Sequence, residues 1–192
     1  MPRNQKANKQ LQEASRQKIL MAAFELFASR GYATTTVDCI AKKAGVSKGL
    51  IYHYFNSKQD ILKGIFHWIV RDAEQYMDPS ADLSPKAFCR WVIDYSFDFI
   101  INQTKINRLI VGLAIQPHVV QQLKEEIDAV REQWTNRLIA VLKELGYAQP
   151  KAEAYFLGAL FDGIGIGYMT LGTSYPIDEV KALLLKRYDM YL

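Results

Sequence analysis

The fold is decided by residues 31–62, which read GYATTTVDCIAKKAGVSKGLIYHYFNSKQDIL. The stretch predicts two short helices. The first begins at Thr35-Thr36-Val37-Asp38, where a hydroxyl and an acid three residues later form a capping box, and it ends at Gly45. Ser47 is a favourable N-cap for the second helix, which runs over 48–54. Because Gly45 permits a tight turn between the two, the stretch predicts a helix-turn-helix.

The second of these helices is the predicted DNA-contacting element. Ser47, Lys48 and Gly49 place small, polar and basic groups at its N-terminus, the end that enters the major groove in this motif. Lys48 can donate to a guanine edge or to a phosphate. The other candidate contacts around it are Thr35, Thr36, Leu50, Tyr52, His53, Tyr54 and Lys58. For His53 and Tyr54 the alternative is a solvent-facing or packing role.

This stretch resembles the N-terminal signature of the TetR family of regulators. The resemblance implies that 48–54 is the recognition helix, and that phosphates are contacted by Thr35, Thr36 and Lys58. The chain departs from the family at Leu50, where threonine is more frequent, so a thymine-methyl contact or simple packing replaces a hydroxyl contact. The resemblance also implies a homodimer whose last two helices form a four-helix bundle with those of the partner.

The charge distribution agrees with a DNA-binding N-terminal part. Residues 1–60 carry ten Lys or Arg against four Asp or Glu, a net +6, so the rest of the chain, within a total of +4, carries −2. Cys39 and Cys89 lie far apart in sequence, which predicts two reduced thiols rather than a disulfide. The first 17 residues lack the apolar segment of a signal peptide. We therefore expect a cytoplasmic protein.

The remaining pattern predicts an all-α fold of about nine helices, because apolar residues recur at spacings of three and four and no strand pattern appears. The first helix is expected from near Glu13, a single long helix over 117–145, and the last over 177–191. A break is expected at Asp78-Pro79-Ser80. A three-helix DNA-binding domain is assigned to 1–58, and a ligand-binding and dimerisation domain to 59–192.

Residues 154–169 are apolar on all sides, so this helix must be covered on both sides. A membrane span is disfavoured by Asp162 and by four glycines, which instead allow close approach of a partner subunit. Asp162 needs a partner in such surroundings, either a cation on a ligand or a donor across a dimer. The predicted dimerisation residues are Gly158, Phe161, Asp162, Gly165, Tyr168, Val180, Leu183, Leu184 and Arg187.

An aromatic stripe marks the candidate effector site. Phe88, Trp91, Tyr95 and Phe99 share one face of a predicted helix, and such a stripe is either filled core or one wall of a cavity for a small apolar ligand. The other predicted lining residues are Trp68, Leu113, Trp134 and Phe161. The predicted polar anchors are Cys89, His118 and Asp162.

Enzyme signatures are absent from the sequence: it has no HExxH pair, no Cys-x-x-Cys, no GxSxG and no phosphate-binding glycine loop after a strand. No metal, cofactor or catalytic residue is therefore expected. The favoured function is a sequence-specific transcriptional regulator, a repressor that binds a palindromic operator as a homodimer and is released by its ligand. The alternatives are an architectural helix-turn-helix protein without an effector, and a small-ligand carrier that does not bind DNA.

Overall fold

A computed structural model describes residues 2–77 and 83–189, and the all-α class predicted from the sequence is confirmed over that part of the chain. It contains ten α-helices there and a single 3-10 turn, Gly172–Ser174. The helices are α1 (Pro2–Arg30), α2 (Val37–Ala44), α3 (Lys48–Tyr54), α4 (Lys58–Met77), α5 (Pro85–Asn102), α6 (Thr104–Ala114), α7 (Pro117–Gln122), α8 (Lys124–Glu144), α9 (Pro150–Leu171) and α10 (Ile177–Asp189).

The chain forms two compact units. Unit 1 comprises Met1–Gln75 with Gly112–Leu123, and unit 2 comprises Tyr76–Val111 with Lys124–Leu192. In unit 1 the start of α4 packs on α1, since an added Cβ at Gly64 would lie 2.9 Å from Leu20. Unit 1 therefore extends beyond residue 58 and differs from the DNA-binding domain predicted over 1–58. That domain boundary stays a prediction.

Helix α1 buries the face that its apolar spacing predicts, with Ile19, Ala23 and Phe27 in the core of unit 1. It ends at Gly31, whose φ of 89° lies in the left-handed region. Its start at Pro2 corrects the prediction of a start near Glu13. The preceding residues are helix formers such as Lys, Gln and Ala, and those described are exposed, so no apolar periodicity marked them as helical.

Unit 2 is built from α5, α8, α9 and α10, which pack against one another. Its main core cluster consists of Ile93, Phe97, Ile100, Leu157, Ile164, Leu184 and Tyr188. A second cluster joins α5, α8 and α9 through Cys89, Leu142 and Ala154. The two clusters follow one another along α5, because Cys89 belongs to one and Phe97, about two turns further on, to the other.

The single helix predicted over 117–145 is two helices, α7 and α8, separated at Leu123. The Leu123 N–H donates to the carbonyls of both Val119 and Val120, and its side chain is buried. The division between the two units also falls directly after Leu123. The predicted break at Asp78-Pro79-Ser80 and the predicted end of the last helix at Tyr191 lie outside the described residues.

Candidate nucleic-acid interface

The turn between α2 and α3 has the geometry that its sequence predicts. The N-cap of α2 is Thr36, whose hydroxyl oxygen accepts the Cys39 N–H at 3.2 Å. The capping box predicted between Thr35 and Asp38 is wrong by one residue, because the Thr35 hydroxyl donates to the Gly31 carbonyl instead. At the other end Gly45 adopts a φ of 62°, and its N–H donates to the carbonyls of Ala41 and Lys42. Val46 N–H also donates to the Ala41 carbonyl, at 3.1 Å, which completes a Schellman-type C-cap. The left-handed glycine thus allows α3 to leave α2 at a sharp angle.

Helix α3 presents one polar face. Its N-cap is Ser47, whose Oγ accepts the Leu50 N–H at 3.1 Å, as the sequence predicts. Ile51 is buried against the rest of unit 1. The exposed residues are Ser47, Lys48, Gly49, Tyr52 and His53, whereas Leu50 and Tyr54 are half-buried. The His53 ring contacts the Tyr54 ring edge to face, with centroids 4.9 Å apart. A basic and hydroxyl-bearing surface therefore lies at the free N-terminal end of α3.

Lys48 is paired across the turn with Asp38 of α2. Its Nζ lies 2.9 Å from Oδ1 and 3.0 Å from Oδ2 of that carboxylate, and both side chains are exposed. The hydrogen bond to Asp38, assisted by its negative charge, raises the pKa of Lys48. Lys48 is therefore fully charged near neutral pH, and its donors already face an acceptor within the protein.

Two of the predicted phosphate ligands are engaged inside unit 1. Thr35 is 1% exposed, and its hydroxyl donates to the Gly31 carbonyl at 2.8 Å. The Nζ of Lys58 donates to the carbonyls of Tyr32 at 2.8 Å and of Thr35 at 2.9 Å, and it lies 4.4 Å from the centroid of the Tyr32 ring. Partial burial lowers the pKa of Lys58. Both side chains brace the loop before α2, and their contact with phosphates stays a prediction.

The geometry of α2, α3 and their turn is that of a helix-turn-helix, and the model for bacterial regulatory proteins of the tetR family matches residues 19–65. The chain belongs to the TetR family. Among curated relatives, the HTH-type transcriptional regulator BetI of Stenotrophomonas maltophilia is 24% identical over 96% of this chain and 96% of its own length. The HTH-type transcriptional activator FasR of Mycolicibacterium smegmatis is 25% identical over 94% of this chain and 83% of its own length. The protein is thus a TetR-family transcriptional regulator.

Solved structures share the whole fold. A transcriptional regulator from a Rhodococcus species superposes with a TM-score of 0.78 at 20% identity, covering 92% of this chain and 95% of that chain. A transcriptional regulator from Saccharomonospora viridis in complex with choline gives 0.73 at 20% identity, covering 92% and 95%. FadR of Bacillus subtilis in complex with stearoyl-CoA gives 0.69 at 22% identity, covering 90% and 96%.

The predicted effector residues of this TetR-family chain fall into several clusters. In unit 2 the ring of Trp91 stacks on Tyr95 at 5.4 Å and on Trp134 at 6.4 Å, and lies 5.8 Å from Phe88. The Arg137 guanidinium lies 4.7 Å from the centroid of the Phe88 ring. The structure therefore brings four of the predicted aromatic residues together, and each ring in the group contacts another ring.

The other predicted effector residues lie elsewhere. Phe161 packs edge-on against Phe97 in the main core of unit 2, and Phe99 is half-buried on α5. Trp68, Leu113 and His118 belong to unit 1, where the Trp68 ring meets Phe24 and His118 is exposed. Burial raises the pKa of the Cys89 thiol to about 11, so this predicted anchor is a neutral, apolar-like group. A ligand role for these residues stays a prediction.

The predicted dimerisation residues divide between two faces of unit 2. Gly158, Asp162, Leu183 and Arg187 are exposed. Four others pack against the unit's own core at least in part: Phe161, Tyr168, Val180 and Leu184. Gly165 is also turned inwards, since an added Cβ there would lie 2.8 Å from Nδ2 of Asn107. The inward-facing side chains are less accessible to a partner than the four exposed residues, and a dimerisation role for all nine stays a prediction.

Two ion pairs and one unpaired buried group lie outside the predicted site residues. The Asp94 carboxylate of α5 accepts from Lys181 of α10 at 2.7 Å and from Arg90 at 3.3 Å. The buried Asn107 has an amide nitrogen without a hydrogen-bond partner among the described residues. Helix spacing could have suggested only the Arg90–Asp94 pair, because Lys181 lies on a helix distant in sequence and no spacing rule predicts the unpaired amide of Asn107. Over the described chain no group of three His, Cys, Asp or Glu side chains is placed to hold a metal ion.

Proposed function

We propose that this regulator acts as a homodimer on a palindromic operator and that a small-molecule effector releases it. The observation that carries the dimer is an apolar face on α9 and α10 that is open to solvent. Its large exposed side chains are Tyr155, Phe156, Ile166, Leu171 and Leu183. Leu183 alone is 70% exposed, whereas its neighbour Leu184 is 7% exposed. A surface of this kind is typical of protein association sites.

Small residues on the same face favour a helical partner. Gly158 and Gly163 are exposed, and an added Cβ at either position would meet no atom of the described chain within 4 Å. Without side chains at these positions, a second helix can approach closely. A second copy of the chain is the natural occupant, because a twofold dimer covers the same patch on both subunits. Two recognition helices then lie one turn of DNA apart or a multiple of it, about 34–36 Å per turn.

The segment Pro150–Ser174 also has the length and composition of a membrane span, and only 22% of its most apolar window is buried within one subunit. A helix at a subunit interface satisfies the same test, because it is apolar on both sides. A dimer explains both faces of α9 together with the exposed Leu183 of α10. We therefore place the regulator in the cytoplasm, where operator DNA is accessible.

For the effector we propose the ring group of Phe88, Trp91, Tyr95 and Trp134 in unit 2. The rings offer apolar surface to a hydrophobic ligand and π faces to a quaternary ammonium group. Two structural neighbours carry choline and stearoyl-CoA, which represent these two chemistries. Ligand entry would alter the packing of the middle helices, shift α4 and change the spacing of the recognition helices.

The mutual stacking of these rings also favours one alternative, an architectural DNA-binding protein in which the group is filled core. Titration with choline and with stearoyl-CoA separates the two readings. Binding of either probe should change tryptophan fluorescence and release operator DNA in the unmodified protein. Trp91→Leu should abolish that response, whereas Leu11→Ser, a change at an exposed position of α1, should preserve it. A protein that binds its operator but responds to neither probe would contradict these two effector classes.

The central test is selection of random duplex DNA on the purified protein, with the mass of the complex measured at moderate salt. An inverted repeat bound by two or four chains is the expected result. Leu183→Ser should shift the free protein towards monomer and weaken operator binding. Leu11→Ser is the matched control, because Leu11 is 66% exposed but lies on α1. Binding without sequence preference would favour the architectural alternative, and absence of binding would favour a ligand carrier.

The sign of regulation follows from where the operator lies. A repressor blocks polymerase at an overlapping site, whereas the relative FasR is described as an activator. We favour repression released by the effector, the commonest behaviour implied by the family resemblance. Transcription in vitro from a promoter that carries the selected repeat should fall on addition of the protein. A rise in transcript would contradict repression and leave DNA binding intact.

A further inference from the structure

The pair of Asp38 and Lys48 lies on the proposed DNA-binding surface itself. Lys48 is the first residue of α3, and Asp38 is in the first turn of α2. The ammonium nitrogen is within 3.0 Å of both carboxylate oxygens. An acidic residue in the first turn of a helix stabilises that helix through its dipole, which accounts for the presence of Asp38. It does not account for the contact between Asp38 and the first residue of α3. The contact brings a negative charge to the end of the recognition helix.

Asp38 differs in this respect from the other acids of unit 1 whose partners are known. Glu25 lies 2.6 Å from Lys43, which is on α2 and not on α3. Asp60 accepts the Asn56 N–H at 3.0 Å at the start of α4. In a part of the chain with a net charge of +6, a carboxylate beside the recognition helix opposes the attraction to DNA.

The consequence depends on what Lys48 meets. On random DNA the ammonium shares its charge between Asp38 and a phosphate, so the pair gains little electrostatic attraction, and the Asp38 carboxylate faces the phosphate backbone without a base to donate to it. At a matching site Lys48 can donate to guanine O6 or N7 and still donate to Asp38, since an ammonium group has three donors. Asp38 can in addition accept from a cytosine amino group. The pair therefore opposes binding to random DNA more than binding to the operator.

We infer that Asp38, through its pair with Lys48, is a specificity-determining residue that suppresses binding to non-operator DNA. The inference rests on the proposed function, because it needs an operator to compare with random sequence. Asp38 acts on DNA affinity partly by positioning Lys48. Removing the Asp38 carboxylate should therefore change the ratio of operator affinity to random-DNA affinity, and not change both by the same factor.

The test compares Asp38→Asn with Glu25→Gln in the full-length protein. Both changes remove one negative charge from unit 1, but only the first frees Lys48. Affinities for the selected operator and for random duplex of equal length are measured between 50 and 200 mM salt. For Asp38→Asn we expect random-DNA affinity to rise about three- to tenfold, with a salt slope steeper by about 0.9, while operator affinity changes by less than about twofold. Glu25→Gln should change both affinities by the same small factor.

The same Asp38→Asn change is then made in a Lys48→Ala protein, which completes a double-mutant cycle between the two residues. If Asp38 acts through Lys48, Asp38→Asn should have little effect there, and helical content and melting temperature should match those of the unmodified protein. Equal effects of Asp38→Asn and Glu25→Gln, or an unchanged effect of Asp38→Asn without Lys48, would overturn the inference while operator binding stands. An unmodified protein that shows no sequence preference would overturn the proposed function first, and the specificity role with it.

Discussion

Replacing Lys58 with alanine should destabilise unit 1 by about 2–4 kcal/mol. The Nζ of Lys58 donates to the Tyr32 carbonyl at 2.8 Å and to the Thr35 carbonyl at 2.9 Å, and it lies over the Tyr32 ring. The loop between α1 and α2 is thus held by a residue 26 positions away from Tyr32. Thr36 caps α2 directly after this loop. Loss of the Lys58 side chain should therefore loosen the start of the helix-turn-helix.

The magnitude follows from the contacts. A hydrogen bond to a charged group contributes about 1.5–3 kcal/mol, so two would contribute about 3–6 kcal/mol if fully buried. Lys58 is half-buried, and water can reach the freed carbonyls, so about half of that contribution applies, or about 1.5–3 kcal/mol. The contact with the Tyr32 ring adds about 0.5–1 kcal/mol. The sum, reduced for hydration, gives the range of about 2–4 kcal/mol.

Trp68 provides a reporter confined to unit 1. The chain has three tryptophans, and the other two, Trp91 and Trp134, belong to unit 2. In a background with both replaced by phenylalanine, urea unfolding followed by Trp68 fluorescence measures unit 1. Lys42→Ala, which removes an exposed lysine from α2, is the control and should stay within about 0.5 kcal/mol of its parent.

Binding assays on the same variants decide between the two roles of Lys58. A residue that only contacts phosphate would leave the urea midpoint unchanged and flatten the salt slope by about 0.9. If Lys58→Ala has the same urea midpoint as Lys42→Ala and changes only the salt slope of DNA binding, the bracing role is refuted. If unit 1 is destabilised as expected, weaker DNA binding is at least partly a consequence of a disordered loop before α2.

Four further changes test other parts of the structure. Gly45→Ala should cost about 1–2 kcal/mol in the urea unfolding of unit 1, because φ at this position is 62°. Gly165→Ala should lower the stability of unit 2 by about 1–3 kcal/mol, since its Cβ would lie 2.8 Å from Nδ2 of the buried Asn107. Gly112→Ala, with open space around the new methyl group, should instead add about 0.5–1 kcal/mol, and urea midpoints compare the two. Asp94→Asn should remove a pH dependence. Burial alone would raise the pKa of Asp94, but the hydrogen bonds from Lys181 and Arg90 outweigh it and hold the pKa below its ordinary 3.8. The carboxylate therefore contributes stability above pH about 3.8 that is lost as the pH falls through the lower folded value, and melting curves from pH 6 to 3 should show this loss only with Asp94 present.

The helix-turn-helix could be predicted closely because its determinants are local. Ser47 caps α3 through a residue three positions on, as predicted, and the cap of α2 lies at Thr36, one residue after the predicted Thr35. Gly45 provides the left-handed turn within the same few residues. None of these contacts depends on how distant helices pack, so residue type and spacing are sufficient to predict them.

The destinations of long polar side chains could not be predicted in this way. Thr35 and Lys58 have the residue types of phosphate ligands, yet their donors meet carbonyls of the loop 31–35. Lys48 likewise has the residue type of a base reader and is paired with Asp38 across the turn. Which acceptor such a donor meets depends on the angle between helices, which capping and periodicity do not specify.

Both helix boundaries that were predicted wrongly show that apolar periodicity reports packing and not backbone conformation. Apolar periodicity shows where a helix is packed, so residues 7–12 of α1, which are exposed, left no signal before Glu13. At Leu123 the opposite occurs, because the apolar pattern continues while the chain passes from unit 1 to unit 2. A buried leucine in a brief turn satisfies the pattern as well as a helical one does, and only its backbone hydrogen bonds reveal the break.

Helix α9 shows most clearly what periodicity leaves open. A helix that is apolar on all sides must be covered twice, but the sequence does not say which face meets its own subunit. The structure turns Leu157, Ile164 and Gly165 inwards and leaves Tyr155 and Asp162 on the open face. Partial burial already raises the pKa of Asp162 within one chain. Further burial by a partner requires a donor for that carboxylate or its protonation, so Asp162 constrains which surfaces can lie opposite α9 in the proposed dimer.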